Sequence, residues 1–325
     1  MIFLFLNIFL TFLSLLIINY RHQIAGKFKI LDHPDKDRKI HQSPIPLLGG
    51  VIVFLFTITN LFYSVYISEI SLKLFLTLIT LFSSFFLIGI YDDKYLLSPL
   101  KKTITIIFLL LIFLPLDQNL IINEFMFKDI RNIIFLNQGG LFFTLLSIYF
   151  LFNFLNFTDG VNGVAISLCL FWAFVFLFNA NEISYFLYSI IISLTVVLIF
   201  NLQNKIFLGN SGSSLLSIIF SSFFILSYNI EGQIKCDEIF LLMFVPGLDS
   251  IRVSLQRIYR KQSPFDADKT HLHHLLFKFI KMKYIFLVYL AITAVPFLLT
   301  FFLTTIISLI ISFVFYFSLF FALNR

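Results

Sequence analysis

The chain has 325 residues, of which 59% are hydrophobic and 12% charged, with a formal net charge of +6 and 47 Phe. Its mean hydropathy is +0.98, which excludes a soluble domain; no nucleic-acid partner is expected. That composition places the chain among helical membrane proteins, whose backbones must satisfy themselves within helices.

In chain order, apolar spans are expected near residues 1–20, 47–67, 71–91, 102–116, 139–156, 161–179, 184–201, 211–229, 237–254, 284–302 and 304–323. These eleven stretches predict an all-α polytopic bundle forming a single integral-membrane domain over residues 1–325. The first stretch has no basic n-region and no small-residue cleavage site, and it is long enough to span, so it is expected to stay as a helix. Spans beside Asp159 are expected to be short or broken.

Lys and Arg set the orientation. Nineteen of the 23 fall in one set of gaps, leaving Lys73, Lys128, Arg131 and Lys235 for the other. The positive-inside rule makes the first set cytoplasmic, which puts the N-terminus outside and Arg325 inside. Cytoplasmic loops are then expected near 21–46, 92–101, 157–160, 202–210 and 255–283. All six histidines (His22, His33, His41, His271, His273 and His274) fall on that side. So do nine aspartates, while eight acidic residues outside look like ordinary loop residues. A basic face with short embedded carboxylates suits a phosphate-bearing substrate and a divalent cation; it also fits contact with anionic lipid headgroups. Cys169 and Cys236 are not expected to form a disulfide.

Five inner segments could carry chemistry. The first, D-H-P-D-K-D-R-K-I-H-Q-S-P-I-P-L-L-G-G from Asp32 to Gly50, should run extended through its prolines and re-enter the membrane, with Arg38, Lys39 and His41 at its mouth. It reads as a phosphate or uracil contact or as a charged stop-transfer loop. The second carries Asp92 and Asp93 at a span end and Lys101 and Lys102 at the next start. Adjacent carboxylates repel unless a cation or Lys neutralises them, and oxygen donors favour Mg²⁺ over Zn²⁺; a solvated helix end fits too.

In the third, N-F-L-N-F-T-D-G-V-N-G, residues Asn153, Asn156 and Asp159 share one helical face that should point into the bundle. Polar glue between helices is the alternative. The fourth, F-L-G-N-S-G-S-S-L-L-S, places Asn210, Ser211 and Ser213 at a helix start, either as a phosphate seat or as an ordinary N-cap. The fifth packs Asp249, Arg252, Arg257, Arg260, Asp268, His271, His273 and His274 into one loop and its flanks. Histidines among arginines suit donation to phosphate oxygens and sugar; a zinc site is the other reading of H-x-H-H.

In this order and spacing the five blocks resemble the polyprenyl-phosphate N-acetylhexosamine-1-phosphate transferase family (glycosyltransferase family 4). The likeness runs from Asp32 to Leu276. S-P-F-D-A-D-K-T-H-L-H-H is similar to the branch that uses UDP-N-acetylhexosamines, the peptidoglycan branch having three consecutive histidines there. The resemblance implies transfer of a sugar 1-phosphate from a UDP-sugar to a polyprenyl (undecaprenyl) phosphate with release of UMP, at the cytoplasmic face of a bacterial inner membrane. It implies Mg²⁺ dependence, with Mn²⁺ able to stand in. It assigns catalytic roles to Asp92, Asp93 and Asp159, and metal contacts to Asp93, Asn156 and Asn210. Substrate binding falls to Lys39, His41, Lys102, Arg257, His271, His273 and His274. Asn210 and Asn162 stand where relatives usually carry Asp, which implies weaker Mg²⁺ binding. In-line attack by the lipid phosphate is the expected route, since a phosphomonoester with a second pKa of about 6 is mostly doubly ionised at neutral pH. A covalent aspartyl intermediate is its rival. A secondary transporter is the main reading of another class, and an intramembrane zinc hydrolase a further one. The sequence sets neither the hexosamine nor an oligomeric state.

Overall fold

The structure, a computed structural model, describes residues 1–34, 43–179, 184–231, 234–263 and 270–324. Every one of the eleven expected stretches is helical. In order, the helices are α1 (Ile2–Asn19), α2 (Arg21–Phe28), α3 (Gly49–Tyr66), α4 (Leu72–Tyr95), α5 (Pro99–Phe113), α6 (Gly140–Thr158) and α7 (Val164–Asn179). After these come α8 (Ser184–Leu202), α9 (Gly209–Leu226), α10 (Cys236–Tyr259), the short α11 (Leu272–Leu275), α12 (Met282–Leu298) and α13 (Thr305–Leu323). Among the described residues nine helices are long and apolar enough to cross a membrane. The fold is that of a polytopic helical membrane protein.

The other two of the eleven stretches differ for separate reasons. Helix α7 is apolar but has only 16 residues. Helix α10 has 24, but carries Asp237, Glu238, Asp249, Arg252 and Arg257. It also runs past the expected end near 254, because Arg252 and Arg257 lie on its buried face. Helix α2 occupies the start of the expected first loop and is ended by Lys29 in the left-handed conformation, φ 59°. Beyond it, β1 (Leu31–Asp32) pairs antiparallel with β2 (Ile45–Pro46), giving the extended re-entry expected from the prolines. A second two-stranded ribbon, β3 (Glu124–Phe125) with β4 (Ile134–Phe135), lies between α5 and α6. Cys169 and Cys236 are both free.

Local chemistry explains the helix boundaries. Ser71 caps α4 by accepting from Leu74 N–H at 3.2 Å, and Pro99 sits in the first turn of α5, where a missing N–H costs nothing. Glu238 reaches back to the N–H of Lys235 at 3.1 Å, and Asp237 beside it complements the helix dipole at the start of α10.

Helix α9 is the axle of the bundle. Of its apolar window 83% is buried inside the protein, against 17% for the α5 span and 22% for α1. Small residues make that encirclement feasible, because Gly212, Ser213, Ser214, Ser217, Ser221 and Ser222 let neighbouring backbones come close. A Cβ at Gly50 of α3 would collide with the backbone of Gly212, and one at Gly89 of α4 with the backbone of Asn210 and Ser211. Just ahead of α9 the chain is spliced to the first loop by backbone bonds: Phe207 N–H to Pro46 O (2.9 Å), Gly49 N–H to Phe207 O (2.9 Å) and Gly50 N–H to Leu208 O (3.0 Å). Towards its other end, Phe220 and Phe224 pack against Trp172 of α7. Asn7 of α1 and Asn60 of α3, both buried, exchange amide hydrogen bonds at 3.3 and 3.4 Å. A separate apolar cluster, including Val245, Leu272, Tyr289, Tyr316 and Phe320, joins α10, α12 and α13 to the histidine segment.

Gly→Ala inside a helix ordinarily stabilises by roughly 0.5–1 kcal/mol. At Gly50 and Gly89 the added methyl meets backbone, and overpacking of this kind costs about 1–3 kcal/mol. Gly50→Ala and Gly89→Ala should therefore lower the thermal midpoint in detergent. Gly26→Ala in α2, with nothing within 4 Å of its Cβ, should leave it unchanged or raise it.

Candidate active site

The two adjacent aspartates near the end of α4 serve different partners, as expected for neighbours about 100° apart around a helix. Asp92 turns towards α5. Its Oδ1 accepts from Leu97 N–H at 2.7 Å and its Oδ2 from Lys102 Nζ at 2.8 Å. The reversal depends on Leu96 in the left-handed region, φ 51°, which stops α4 and lets α5 begin three residues later. Lys102 also donates to Asn210 Oδ1 at 3.3 Å and lies 5.1 Å from the centre of the Phe152 ring.

Asp93 turns towards α9. Its carboxylate accepts from the N–H groups of Asn210 (2.7 Å) and Ser211 (3.0 Å). Helix α9 has no capping side chain of its own, so a carboxylate from α4 performs that task and also complements the helix dipole. The residues at this helix start do not cap it themselves, and the two N–H groups that a phosphate would take are occupied by Asp93. Gly209 is required here twice over, since its φ is +76° and a Cβ would stand 2.9 Å from Asp93 Oδ2.

Helix α6 approaches from another side. Asn156 Oδ1 accepts the Ser213 hydroxyl at 2.8 Å, whereas the Asn153 amide turns back on Tyr149 O of its own helix at 2.8 Å. Asp159 is half-buried just past the helix end, and no described residue donates a hydrogen bond to its carboxylate. Its pKa is raised well above the usual range, first by desolvation and then by the charges of Asp93 and Asp32. The first loop, the aspartate pair and the α6 terminus therefore share one electrostatic neighbourhood. Asn162 stands apart from it. Its amide donates to Asn201 O (3.1 Å) and Asn204 Oδ1 (2.7 Å) at the end of α8, so its role here is to pin the turn.

The histidine segment closes the site. A Cβ on Gly160, next to Asp159, would stand 3.3 Å from His274 Nε2 and 3.6 Å from His273 Nε2. The Phe157 ring lies 5.3 Å from that of His271 and 5.6 Å from the Arg257 guanidinium. His271 Nδ1 is 2.9 Å from Asp249 Oδ2, and Asp249 also accepts from Arg252 Nη2 (2.7 Å) and Tyr316 OH (2.8 Å). His273 is 1% exposed, and both its ring nitrogens are buried without a partner. Burial, followed by neighbouring His274 and His271, pushes its pKa well down, so it is neutral at pH 7.

Thus Asp92, Asp93, Lys102, Asn156, Asp159 and Asn210 converge, and Arg257, His271, His273 and His274 pack on the Phe157–Gly160 turn. Lys39 and His41, like Asp268, lie outside the described residues. The sequence reading gave no role to Asp249 as the partner of His271, or to Tyr289 and Tyr316. A tyrosine in the middle of an otherwise apolar span was the available signal. Among the described residues no three His, Cys, Asp or Glu side chains gather closely enough to hold a metal by themselves.

Residues 74–228 match the family description "Glycosyl transferase family 4". Just under half of the chain is therefore similar to that family. Its curated relatives include proteins named undecaprenyl-phosphate alpha-N-acetylglucosaminyl 1-phosphate transferase. That of Escherichia coli K12 is 26% identical over 85% of this chain and 75% of its own length. That of Haemophilus influenzae is 27% identical over 83% and 78%, and that of Salmonella typhimurium 24% over 85% and 75%. The segment that matches the description contains Asp92, Asp93, Asn156, Asp159 and Asn210. The transporter reading finds no support among the relatives.

An aspartate with a raised folded pKa holds its proton more tightly when folded. Stability then falls as pH climbs past the unfolded value of about 3.9 and stays lower at neutral pH. Asp159→Asn should therefore raise the thermal midpoint at pH 7, and the gain over wild type should vanish near pH 3.

Proposed function

We propose that the chain transfers an N-acetylhexosamine 1-phosphate from a UDP-sugar to a polyprenyl phosphate, releasing UMP and leaving a lipid-linked diphosphosugar. The observation that carries this reading is the meeting of side chains from α4, α5 and α6 around the start of α9, with the histidine segment alongside. Phosphoryl transfer asks chiefly for alignment and charge neutralisation, and such a constellation provides both. The relatives' names favour N-acetylglucosamine and undecaprenyl phosphate as the substrates to test first.

The proposed topology has eleven spans, the N-terminus outside and Arg325 inside, in a bacterial inner membrane. The distribution of Lys and Arg supports it. The starts of α5 and α9 and the ends of α4, α6, α8 and α10 then all open on the cytoplasm, where UDP-sugars are found.

Asp93, Asn156 and Asn210 would hold Mg²⁺, with Asp159 beside them. An all-oxygen donor set suits a hard cation, Mn²⁺ being the nearest substitute. The Asp159 carboxylate, which receives no hydrogen bond from any described residue, is the group that such an ion would neutralise. When bound, Mg²⁺ supplies charge neutralisation at the diphosphate and so favours departure of UMP. Lys39, His41, Lys102 and Arg257, together with His271, His273 and His274, bind the two phosphate-bearing substrates through charge and hydrogen bonds.

Asp92 and Asp93 each accept hydrogen bonds on both oxygens, which ties the pair to Leu97, Lys102 and the start of α9. Direct in-line attack by the lipid phosphate asks less of them than a covalent intermediate would: they hold Lys102 and the α9 terminus in place while a phosphate oxygen of the acceptor forms the new bond. For the isoprenoid tail, a hollow of about 430 Å³ lies between α6, α9 and α10, walled by Phe125, Phe127, Phe143, Phe224 and Phe240. Leu151 on its wall stands about one and a half turns from Asn156 along α6.

Purified protein in detergent, given undecaprenyl phosphate, Mg²⁺ and a panel of UDP-N-acetylhexosamines, should release UMP with at least one of them. Asp93→Asn, Asp159→Asn and His273→Ala should each be severely impaired; an unaltered rate in all three would refute the assignment. A donor chiral at the transferred phosphorus should give inverted product, whereas retention would establish two displacements. Asn210→Asp restores a charged ligand, so half-maximal activity should need less Mg²⁺ than in the wild type.

A further inference from the structure

His271 is held more tightly than contact with a substrate alone would require. The residues on both sides are pinned by the same buried cluster: Thr270 O accepts from Arg252 Nη2 at 2.7 Å, and Leu272 N–H donates to Asp249 at 3.1 and 3.2 Å. Between them, the imidazole packs against Phe157 with ring centres 5.3 Å apart and stacks on His273 at 5.5 Å, the latter pair only 6° from parallel.

Asp249 is 2% exposed, and an ionised carboxylate only accepts hydrogen bonds. Its contact with His271 Nδ1 therefore needs the proton on that nitrogen, which leaves Nε2 as the only other polar atom of the ring. Nε2 is buried and has no partner. The carboxylate itself is clamped. Arg252 donates to it while also donating to Tyr316 OH (2.9 Å) and Gln256 Oε1 (2.9 Å), and its guanidinium lies 4.3 Å from the Phe320 ring centre. Tyr316, from α13, in turn donates to Asp249 Oδ1. With so many bonds inside the protein, Arg252 is committed to Asp249 rather than to a ligand. Apolar side chains could join α10 to α13 without burying charge; what they could not do is choose between the two nitrogens of His271.

We propose that Asp249, clamped by Arg252 and Tyr316, is a positioning residue that fixes the tautomer and orientation of His271 so that Nε2 faces the sugar-nucleotide donor. The proposal rests on the reading of His271 as a donor-binding side chain. In catalytic triads a carboxylate sets the histidine tautomer in this way, and Asp→Asn, which leaves the geometry intact, still removes most of the activity.

The test uses the full-length protein in detergent with UDP-N-acetylglucosamine and undecaprenyl phosphate, and follows UMP release. Tyr316→Phe removes one hydroxyl and keeps the ring, so kcat/KM for the donor should fall about tenfold, the effect of one hydrogen bond to a charged group. Asp249→Asn should lower it on the order of 10²-fold. Both should raise the donor KM and leave the acceptor KM unchanged, and neither should reduce activity further in a His271→Ala background. A purely structural role would instead lower kcat in step with the folded fraction at unchanged donor KM, and would multiply with His271→Ala; either result overturns the proposal. Should Asp249→Asn fail to fold, Tyr316→Phe and its double variant decide the matter. Wild-type kinetics in His271→Ala would remove the reading of His271 itself, whereas an impaired His271→Ala with multiplying partners would overturn only the positioning role.

Discussion

A helix that begins inside a protein leaves its first N–H groups without partners along its own backbone, and in an apolar interior each must be met by something else. For α9, the most enclosed helix of the bundle, the N–H groups of Asn210 and Ser211 are met by a single carboxylate, Asp93. The rest of the site is arranged around that bond. It brings the end of α4 to the start of α9, which sets Asp92 towards α5, Lys102 within reach of Asn210, and Ser213 opposite Asn156. Fold and site are joined at one place because the same groups complete both.

That economy has a cost, visible at Asp159. Its carboxylate is desolvated, lies in the field of Asp93 and Asp32, and receives no hydrogen bond from any described residue. A sequence under selection for stability alone would not keep it so. Carboxylates left unsatisfied by their own protein are poised for a cation or for cationic ligands, and strain of this kind concentrates where function requires it. Asp92 and Asp249 show the opposite arrangement: each is buried, fully partnered and used to hold another side chain in place.

Much of this was legible in the sequence. The eleven apolar stretches are all helical, since length and hydropathy dominate in a chain that must satisfy its backbone internally. The described parts of the five polar segments also meet, because charge so near lipid is tolerated only where it gathers. Other features depend on partners distant in sequence. Nothing around residue 210 announces that its helix is capped from residue 93, so a phosphate seat and a cap looked alike. Asn162 sat within a motif yet bonds to the end of α8, since its amide finds two acceptors there. Helix α10 outran its apolar stretch because an inward-facing Arg252 and Arg257 are invisible to a hydropathy window. The tyrosines of α12 and α13 were hidden by the ease with which Tyr passes for lipid-facing bulk.

The backbone splice between the first loop and the segment leading into α9 bears on biogenesis. Pro46, Gly49 and Gly50 find their partners at Phe207 and Leu208, so the early hairpin emerges from the ribosome with carbonyls and amides that stay unmatched until most of the polypeptide has followed. Until then that stretch has to wait in the watery cavity of the insertion machinery or at the headgroup layer. This seam therefore closes late, and a nascent chain stalled before α9 would be left with it open for quality-control proteases to find.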